Sequence, residues 1–313
     1  MRILITGGSG FVGRNLTTYL IDKYPDYSVV NFDRSEWSFG KRQYFYVAGD
    51  IRNQELVSRT IKEYQIDSLI NLANDTSGPE IKQIESNVCG QFVLLNEAGE
   101  NSLERFVYLS SDGVYVPSKE GLSSPVLEED SVIAHDLPSA CKIAAESLAM
   151  SAYHTRNLPI VILRSVDCLG SWLKPGHLIS LLIASALQNN SLPIYHEGRK
   201  QQDWLHVSDL CIATDKALHL KTITGEIINL GWGVPHSVLD TAKLILASTD
   251  KPETLIKFIE EENNREVTGA PPLDSAKAEK LLGWKPAINF SDTLNNTVDW
   301  FKKNPDWWGE EHI

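Results

Sequence analysis

Arg2-Ile3-Leu4-Ile5-Thr6, followed at once by Gly7-Gly8-Ser9-Gly10-Phe11-Val12-Gly13, is the stretch that decides the fold. A short apolar run ends at glycines. Helical spacing then takes over at Phe11–Lys23, with Leu16, Leu20 and Ile21 on one face. In this setting Gly7 permits a tight turn, Gly10 lets the backbone approach a pyrophosphate, and Gly13 lets helix and strand pack closely. The helix N-terminus offers N–H groups and the positive end of its dipole to phosphates. Asp33 ends a second β-branched run, Ser28–Asp33, about 20 residues further on, where a carboxylate accepts hydrogen bonds from a ribose diol. The same charge repels a 2′-phosphate, so NAD is expected rather than NADP. Arg34, beside it, would soften that preference.

Working outward, helix-like spacing recurs at 54–64, 81–99 and 139–155, and strand-like runs at 68–72, 105–110 and 159–164. This alternation predicts βαβ units, a Rossmann-type doubly wound parallel sheet with helices on both faces. Beyond residue 170 the regularity loosens, and Pro, Gly and Trp are scattered through 170–205. Helices are expected at 206–220, 238–247, 274–282 and 291–302, and a strand at 226–230. The expected division is a dinucleotide-binding domain over 1–170 and a smaller α/β substrate lobe over 171–313, with about 205–230 returning to the sheet. The acidic run Glu260-Glu261-Glu262 reads as a solvated face.

The 313 residues are 42% hydrophobic and 22% charged, which excludes a disordered or fibrous chain. With 29 basic and 41 acidic residues the net charge is −12, against the positive field that nucleic-acid binding needs. No apolar run reaches the roughly 18 residues of a membrane span, and the opening run is too short for a signal-peptide core. A cytoplasmic protein is expected. Cys89, Cys141, Cys168 and Cys211 show no paired spacing, so neither a metal site nor a disulfide framework is indicated.

The glycine spacing, Gly-x-x-Gly-x-x-Gly, resembles that of the extended short-chain dehydrogenase/reductase family, which includes nucleotide-sugar epimerases and 4,6-dehydratases. Further segments agree in order. Gly49-Asp50-Ile51-Arg52 is similar to the loop after that family's third strand, whose Asp reaches the adenine. Asn71-Leu72-Ala73-Asn74 stands at its His-x-Ala-Ala strand end, and Asn87-Val88-x-Gly90 matches its Asn-Val-x-Gly helix. Phe106 to Tyr115 resembles the strand carrying its catalytic Ser/Thr, and Gly198-Arg199 with Asp203-Trp204-Leu205-His206-Val207-x-Asp209 resembles a later conserved segment. Leu282-Gly283-Trp284-Lys285-Pro286 and Asn304-Pro305-Asp306-Trp307-Trp308 complete the pattern.

The resemblance implies an NAD-dependent enzyme acting on an activated sugar, possible homodimerisation through two long helices (81–99 and 139–155), and a site carried over residue by residue. Cofactor contacts fall on Gly7, Gly10, Phe11, Val12, Gly13, Asp33, Arg34, Asp50, Ile51, Leu72, Ala73, Asn87 and Lys142. Catalytic roles fall on Ser111, Asp112 and Lys142: Ser111 orients the reacting oxygen, Asp112 transfers a proton, and Lys142 holds the nicotinamide ribose. No metal is implied.

Three departures stand against this pattern. The family's catalytic Tyr position, four residues before Lys142, is Pro138. Proline carries no proton, and losing a positioned acid or base costs roughly 10²–10⁴ in rate. Substitutes on offer are Tyr115, Asp112, Ser139, His177 or a water. Ser139 with Lys142 also has the form of a serine–lysine pair, against its plainer role as a helix cap. Gly113 stands where the dehydratases carry a Glu base. Asp167 replaces an Asn and Gln202 an Arg that reach the substrate diphosphate in the family, while Arg265 lies near a late family Arg. Cys141 and Cys168 are candidate reactive thiols or core residues. His206 and Trp307-Trp308 read as structural. Alternatives to the enzyme are a dinucleotide-binding scaffold without turnover, and a non-redox elimination or isomerisation in the same cleft.

Overall fold

The computed structural model describes residues 1–116, 118–119, 124–259 and 268–308. The acidic run at 260–262 and Arg265 lie outside the described residues. Seven strands form the main sheet: β1 (Arg2–Thr6), β2 (Ser28–Asp33), β3 (Tyr44–Ala48), β4 (Ser68–Asn71), β5 (Arg105–Ser111), β6 (Ile160–Ser165) and β7 (Ile227–Leu230). All neighbours pair parallel, in the order β3-β2-β1-β4-β5-β6-β7. Parallel strands are buried on both faces and read as continuous apolar runs. Accordingly Ile3, Leu4 and Ile5 of β1 are all fully buried.

The helices divide between the two faces. On one lie α1 (Phe11–Lys23), α6 (Val207–His219) and α8 (Ala276–Leu282), where Leu16, Leu20, Leu210 and Leu282 share a core with Ile3 and Ile5. On the other lie α2 (Gln54–Glu63), α3 (Gly90–Glu100) and α4 (Leu137–Arg156), where Val57, Leu94 and Ala149 pack with Leu4 and Phe106. A third core joins α5 (Leu178–Leu187), α7 (Val238–Ser248) and α9 (Phe290–Lys303), with Trp204 and Trp308 filling it. Strand order reverses between β1 and β4, so the carboxyl ends of these two strands open a crevice at the switch point.

Three elements differ from the sequence expectation. β3 has no clean alternation: it is an edge strand, half-exposed, and pairs with β2 alone. Helix α5 follows directly on the Pro and Gly of 175–176 that read as irregular, and its run Leu-Ile-Ser-Leu-Leu-Ile-Ala-Ser-Ala-Leu buries most of its residues. The expected helix 81–99 is broken into Glu80–Ile84, a π-helical turn Glu85–Cys89, and α3. A Cβ on Gly90, where α3 starts, would meet the Ile51 side chain at 2.5 Å, so the glycine permits that close approach.

Candidate functional site

The turn between β1 and α1 is built as its glycines require. Gly7 has φ +73°, and a Cβ there would stand 2.8 Å from the backbone of Leu72 and Ala73 at the end of β4. A Cβ on Gly13 would stand 2.5 Å from the Gly7 carbonyl oxygen and the Gly8 Cα. A side chain at either position would push helix from strand. At Gly10, which has extended backbone and starts α1 with no side-chain cap, an added Cβ meets only the Gly7 oxygen, at 3.2 Å. The first-turn N–H groups are therefore available to an anion.

Above this turn is an outer cavity of about 480 Å³ lined by Gly7, Gly10, Phe11, Asp33, Asp50 and Ile51, among others. Arg34, Leu72 and Ala73 also line it. The Asp33 carboxylate accepts the backbone N–H of Ser9 at 3.0 Å and of Ser35 at 2.9 Å, which fixes it at the mouth. Arg34, next in sequence, is drawn into an ion pair with the buried Asp75 at 2.9 Å. Asp50 is held by Arg52, whose Nη2 donates at 2.7 Å and whose hydrogen bonds pull the carboxyl below its usual range. Glycines that leave room, unused N–H donors and a fixed carboxylate at the ribose position fit NAD.

An inner cavity of about 380 Å³ shares Gly7, Gly10, Phe11 and Leu72 with the outer one and continues past Val12 and Gly13 to Ser111, Lys142 and Asp167. A larger depression, about 890 Å³, lies open on α2 beside Ser58 and Lys62 and contains none of these groups. It has the form of a surface hollow, and the chemistry-bearing residues lie in the other two.

Lys142 is presented by α4, which starts with a capping box. Asp136 accepts the Ser139 N–H at 2.8 Å, while Ser139 Oγ accepts the Asp136 N–H at 3.1 Å, with Pro138 in the first turn. Lys142 Nζ donates to the Leu109 carbonyl on β5 at 2.8 Å and lies 5.0 Å from the Tyr108 ring centroid. Burial pushes its pKa down to about 8, against the opposing charge of Glu146. One turn on, Glu146 binds Arg164 of β6 through a closest contact of 2.6 Å, with both groups buried, and this locks α4 to the sheet.

Ser111 ends β5 at the cavity wall. Its Oγ donates to Asp112 Oδ1 at 2.8 Å. Asp112 lies beneath, only 4% exposed, and its Oδ2 is buried without a hydrogen-bond partner. Burial first, and then the charges of Asp167 and Asp203, push this carboxyl up to about 8. An acid of this kind holds its proton at neutral pH.

The residues expected to stand in at the position read as Pro138 fall into two groups. Tyr115 is 1% exposed and faces away: its hydroxyl donates to Asn229 Oδ1 and accepts from Arg164. Ser139 is committed to the capping box and is buried, so the serine–lysine pair is set aside as a nucleophile and the cap stands. Asp112 and His177 remain, the latter lining the inner cavity. Burial drives the Cys168 thiol well above its usual range, and Cys141 also upward, which removes thiolate character from both. His206 caps α6 through Nδ1. Asn87 lies outside the lining of both cavities and exchanges two hydrogen bonds with the backbone of Asp75, holding that loop.

Trp307, which reads as structural from the sequence, faces the cofactor side. It does more than pack: it lines the outer cavity, donates Nε1–H to Leu173 O at 2.9 Å, and stacks under Arg14 at 4.9 Å. Trp172 and Lys174 join it there. No periodicity marks these residues, because they reach the site from a loop and the short 3-10 turn Pro305–Trp307. Among the described residues no cluster of ligands could hold a metal ion, and no helix is long and apolar enough to cross a membrane.

Fold, switch-point crevice and glycine turn together define a Rossmann-type NAD-binding protein. Comparison with known proteins narrows this. The model of the NAD dependent epimerase/dehydratase family matches residues 3–231. A low-salt glycan biosynthesis protein, Agl12, of Haloferax volcanii is 33% identical over 96% of this chain and 98% of its own. A dTDP-glucose 4,6-dehydratase of Streptomyces niveus is 31% identical over 98% and 95%. The crystal structure of dTDP-glucose 4,6-dehydratase from Bacillus anthracis in complex with NAD superposes with a TM-score of 0.90, at 30% identity and 98% coverage of both chains. The chain belongs to the NAD dependent epimerase/dehydratase family, within the extended short-chain dehydrogenases/reductases.

Proposed function

We propose that the protein is an NAD-dependent enzyme acting at a hydroxyl-bearing carbon of an activated sugar, as a dehydratase or an epimerase. In this proposal the Ser111–Asp112 pair does the proton transfer that Pro138 cannot. The observation that carries it is the buried, unpartnered Oδ2 of Asp112 beneath Ser111, at the wall of the cavity that also holds Lys142. A buried carboxyl without a partner costs stability and is retained where a proton must be held.

Bound NAD supplies a hydride acceptor for the carbinol carbon and a donor for its return. The chain supplies the rest. Gly7, Gly10 and the first turn of α1 hold the pyrophosphate, and Asp33 the adenine ribose. Lys142, fixed by the Leu109 carbonyl, holds the nicotinamide ribose. The oxidation runs from the fraction of molecules in which Asp112 is ionised, a minority at neutral pH: the substrate O–H gives its proton to Ser111 Oγ as Ser111 passes its own to that carboxylate. The C–H bond breaks with its electron pair, leaving a ketone. The protonated Asp112 then returns its proton through Ser111 Oγ to the carbonyl oxygen as that carbon is reduced.

Two finer features go with this function. Cys89, Cys141, Cys168 and Cys211 are all unpaired thiols, as in a reducing, cytoplasmic setting. Ile81, Ile84 and Phe92 stand exposed on the Glu80–Glu100 segment, which supports homodimerisation there. Pro138 favours a second reading, a dinucleotide-binding subunit without turnover. Chromatographic separation coupled to mass spectrometry of UDP- and dTDP-hexoses incubated with the NAD-loaded protein separates the two. Loss of one water or an isomeric product, abolished in Asp112→Asn, supports the enzyme. Unchanged hexoses with NAD retained support the scaffold.

A further inference from the structure

The inner cavity extends beyond Ser111 and Lys142 to a side formed by Asp167 and His177. Gln202 Nε2 donates to Asp167 Oδ2 at 2.5 Å, and His177 Nε2 stands 3.8 Å from the same oxygen. His177 Nδ1 accepts the Ile179 backbone N–H at 3.3 Å, so the ring proton sits on Nε2 and faces the carboxylate. The ring is held edge-on to Trp204 at 5.9 Å. Both side-chain donors at this end are thus turned onto one oxygen of Asp167, and Oδ1 receives no hydrogen bond from a described residue. The carboxylate is half-exposed. Although burial opposes ionisation, His177, Gln202 and Lys200 hold it below the usual carboxylate range, so it is charged at neutral pH.

We propose that Asp167 is a specificity-determining residue of this cleft, whose Oδ1 takes an O–H or N–H group of the substrate, a sugar hydroxyl or ammonium, and excludes a phosphate from that place. Two physical facts act together. Of the donors that a phosphate would need, Gln202 Nε2 is already hydrogen-bonded to Asp167 and His177 Nε2 faces the same oxygen at 3.8 Å. A phosphate seated there would also face a like charge at close range, in a cavity where screening is incomplete. Lys174 lines the cavity where it meets the outer one, and so stands with the cofactor side. The substrate class is therefore one whose part over Asp167 is polyhydroxylated or amino-bearing, with any phosphate lying elsewhere. This rests on the cleft being the substrate site of the enzyme proposed above.

Isothermal titration of the NAD-loaded protein with UDP, and separately with dTDP, tests it. Wild type is expected to bind both weakly. Asp167→Asn, which removes the charge and adds a donor, is expected to bind at least about tenfold tighter. Gln202→Ala, which leaves the charge in place, is expected to show no gain. Asp167→Ser serves as a second charge-removing variant should Asp167→Asn fold poorly. No gain on removing the charge, whether the nucleotides bind well to all forms or to none, overturns the proposal. The NAD content of the same samples reports separately on whether the cofactor site works, so failure there is not confused with failure here.

Discussion

Replacing Asp112 by Asn removes a buried titration and leaves the shape of the group. In the folded protein burial and the neighbouring charges of Asp167 and Asp203 move this carboxyl from 3.8 to about 8. Between those values the folded chain keeps a proton that the unfolded chain has released. Stability therefore falls as pH rises through that window, by about 1.4 kcal/mol per pH unit at most, and levels off above pH 8. Over roughly four units the full loss is on the order of 5 kcal/mol. Asn carries no such slope, although its amide N–H₂ inherits the unpartnered place of Oδ2 at a cost of about 1–3 kcal/mol. Asp112→Asn is thus expected to draw level with wild type somewhere between about pH 4.5 and 6 and to be about 2–4 kcal/mol more stable at pH 9. Urea denaturation of both proteins at saturating NAD, at each pH from 5 to 9, measures the difference, and groups common to both cancel. A difference that stays constant across this range would refute the raised carboxyl and, with it, the role given to Asp112.

Other outcomes follow from the same geometry. Gly13→Ala places a Cβ 2.5 Å from the Gly7 oxygen, so NAD affinity should fall at least about tenfold by calorimetry, with little change in circular dichroism. Arg164→Ala strands Glu146, buried at 5% exposure, and should cost about 3–5 kcal/mol in urea denaturation; replacing both partners by Leu and Met should recover most of it. Lys142, pushed down to about 8, carries its charge below that pH and loses it above. NAD should therefore bind more weakly at pH 9 than at pH 7, and Lys142→Met should flatten that dependence. Asp136→Ala removes the cap of α4 and should lower stability by about 1 kcal/mol, read from the same denaturation curves.

The turn at Gly7–Gly13 could be read before any coordinates because each glycine answers a steric demand that no other residue meets, and the strand and helix around it carry their own periodicity. Asp33 is legible from its place at a strand end, whereas Ser111 and Lys142 are marked only by the resemblance to the family's motifs. β3 escaped because an edge strand with one partner needs no alternation. The helix Leu178–Leu187 escaped because it is buried nearly all round, beside prolines and glycines that read as loop. Trp172 and Lys174 reach the cofactor cavity from a loop and Trp307 from the short 3-10 turn Pro305–Trp307, where only tertiary contact places them. The pairing of Asp167 with Gln202, 35 residues apart, likewise needed the fold: each looked like a separate departure, and the structure joins them by one hydrogen bond.

The most direct test of the redox chemistry is the absorbance at 340 nm of the NAD-loaded protein, followed in single turnover after mixing with UDP- and dTDP-hexoses and with unphosphorylated and amino hexoses. A transient rise with at least one of them, lost in Asp112→Asn while NAD stays bound, is the expected result. No transient with any probe, while NAD is retained, would contradict it and leave a dinucleotide-binding scaffold; product formed without a transient or a deuterium effect at the oxidised carbon would point to chemistry in which the nicotinamide takes no hydride.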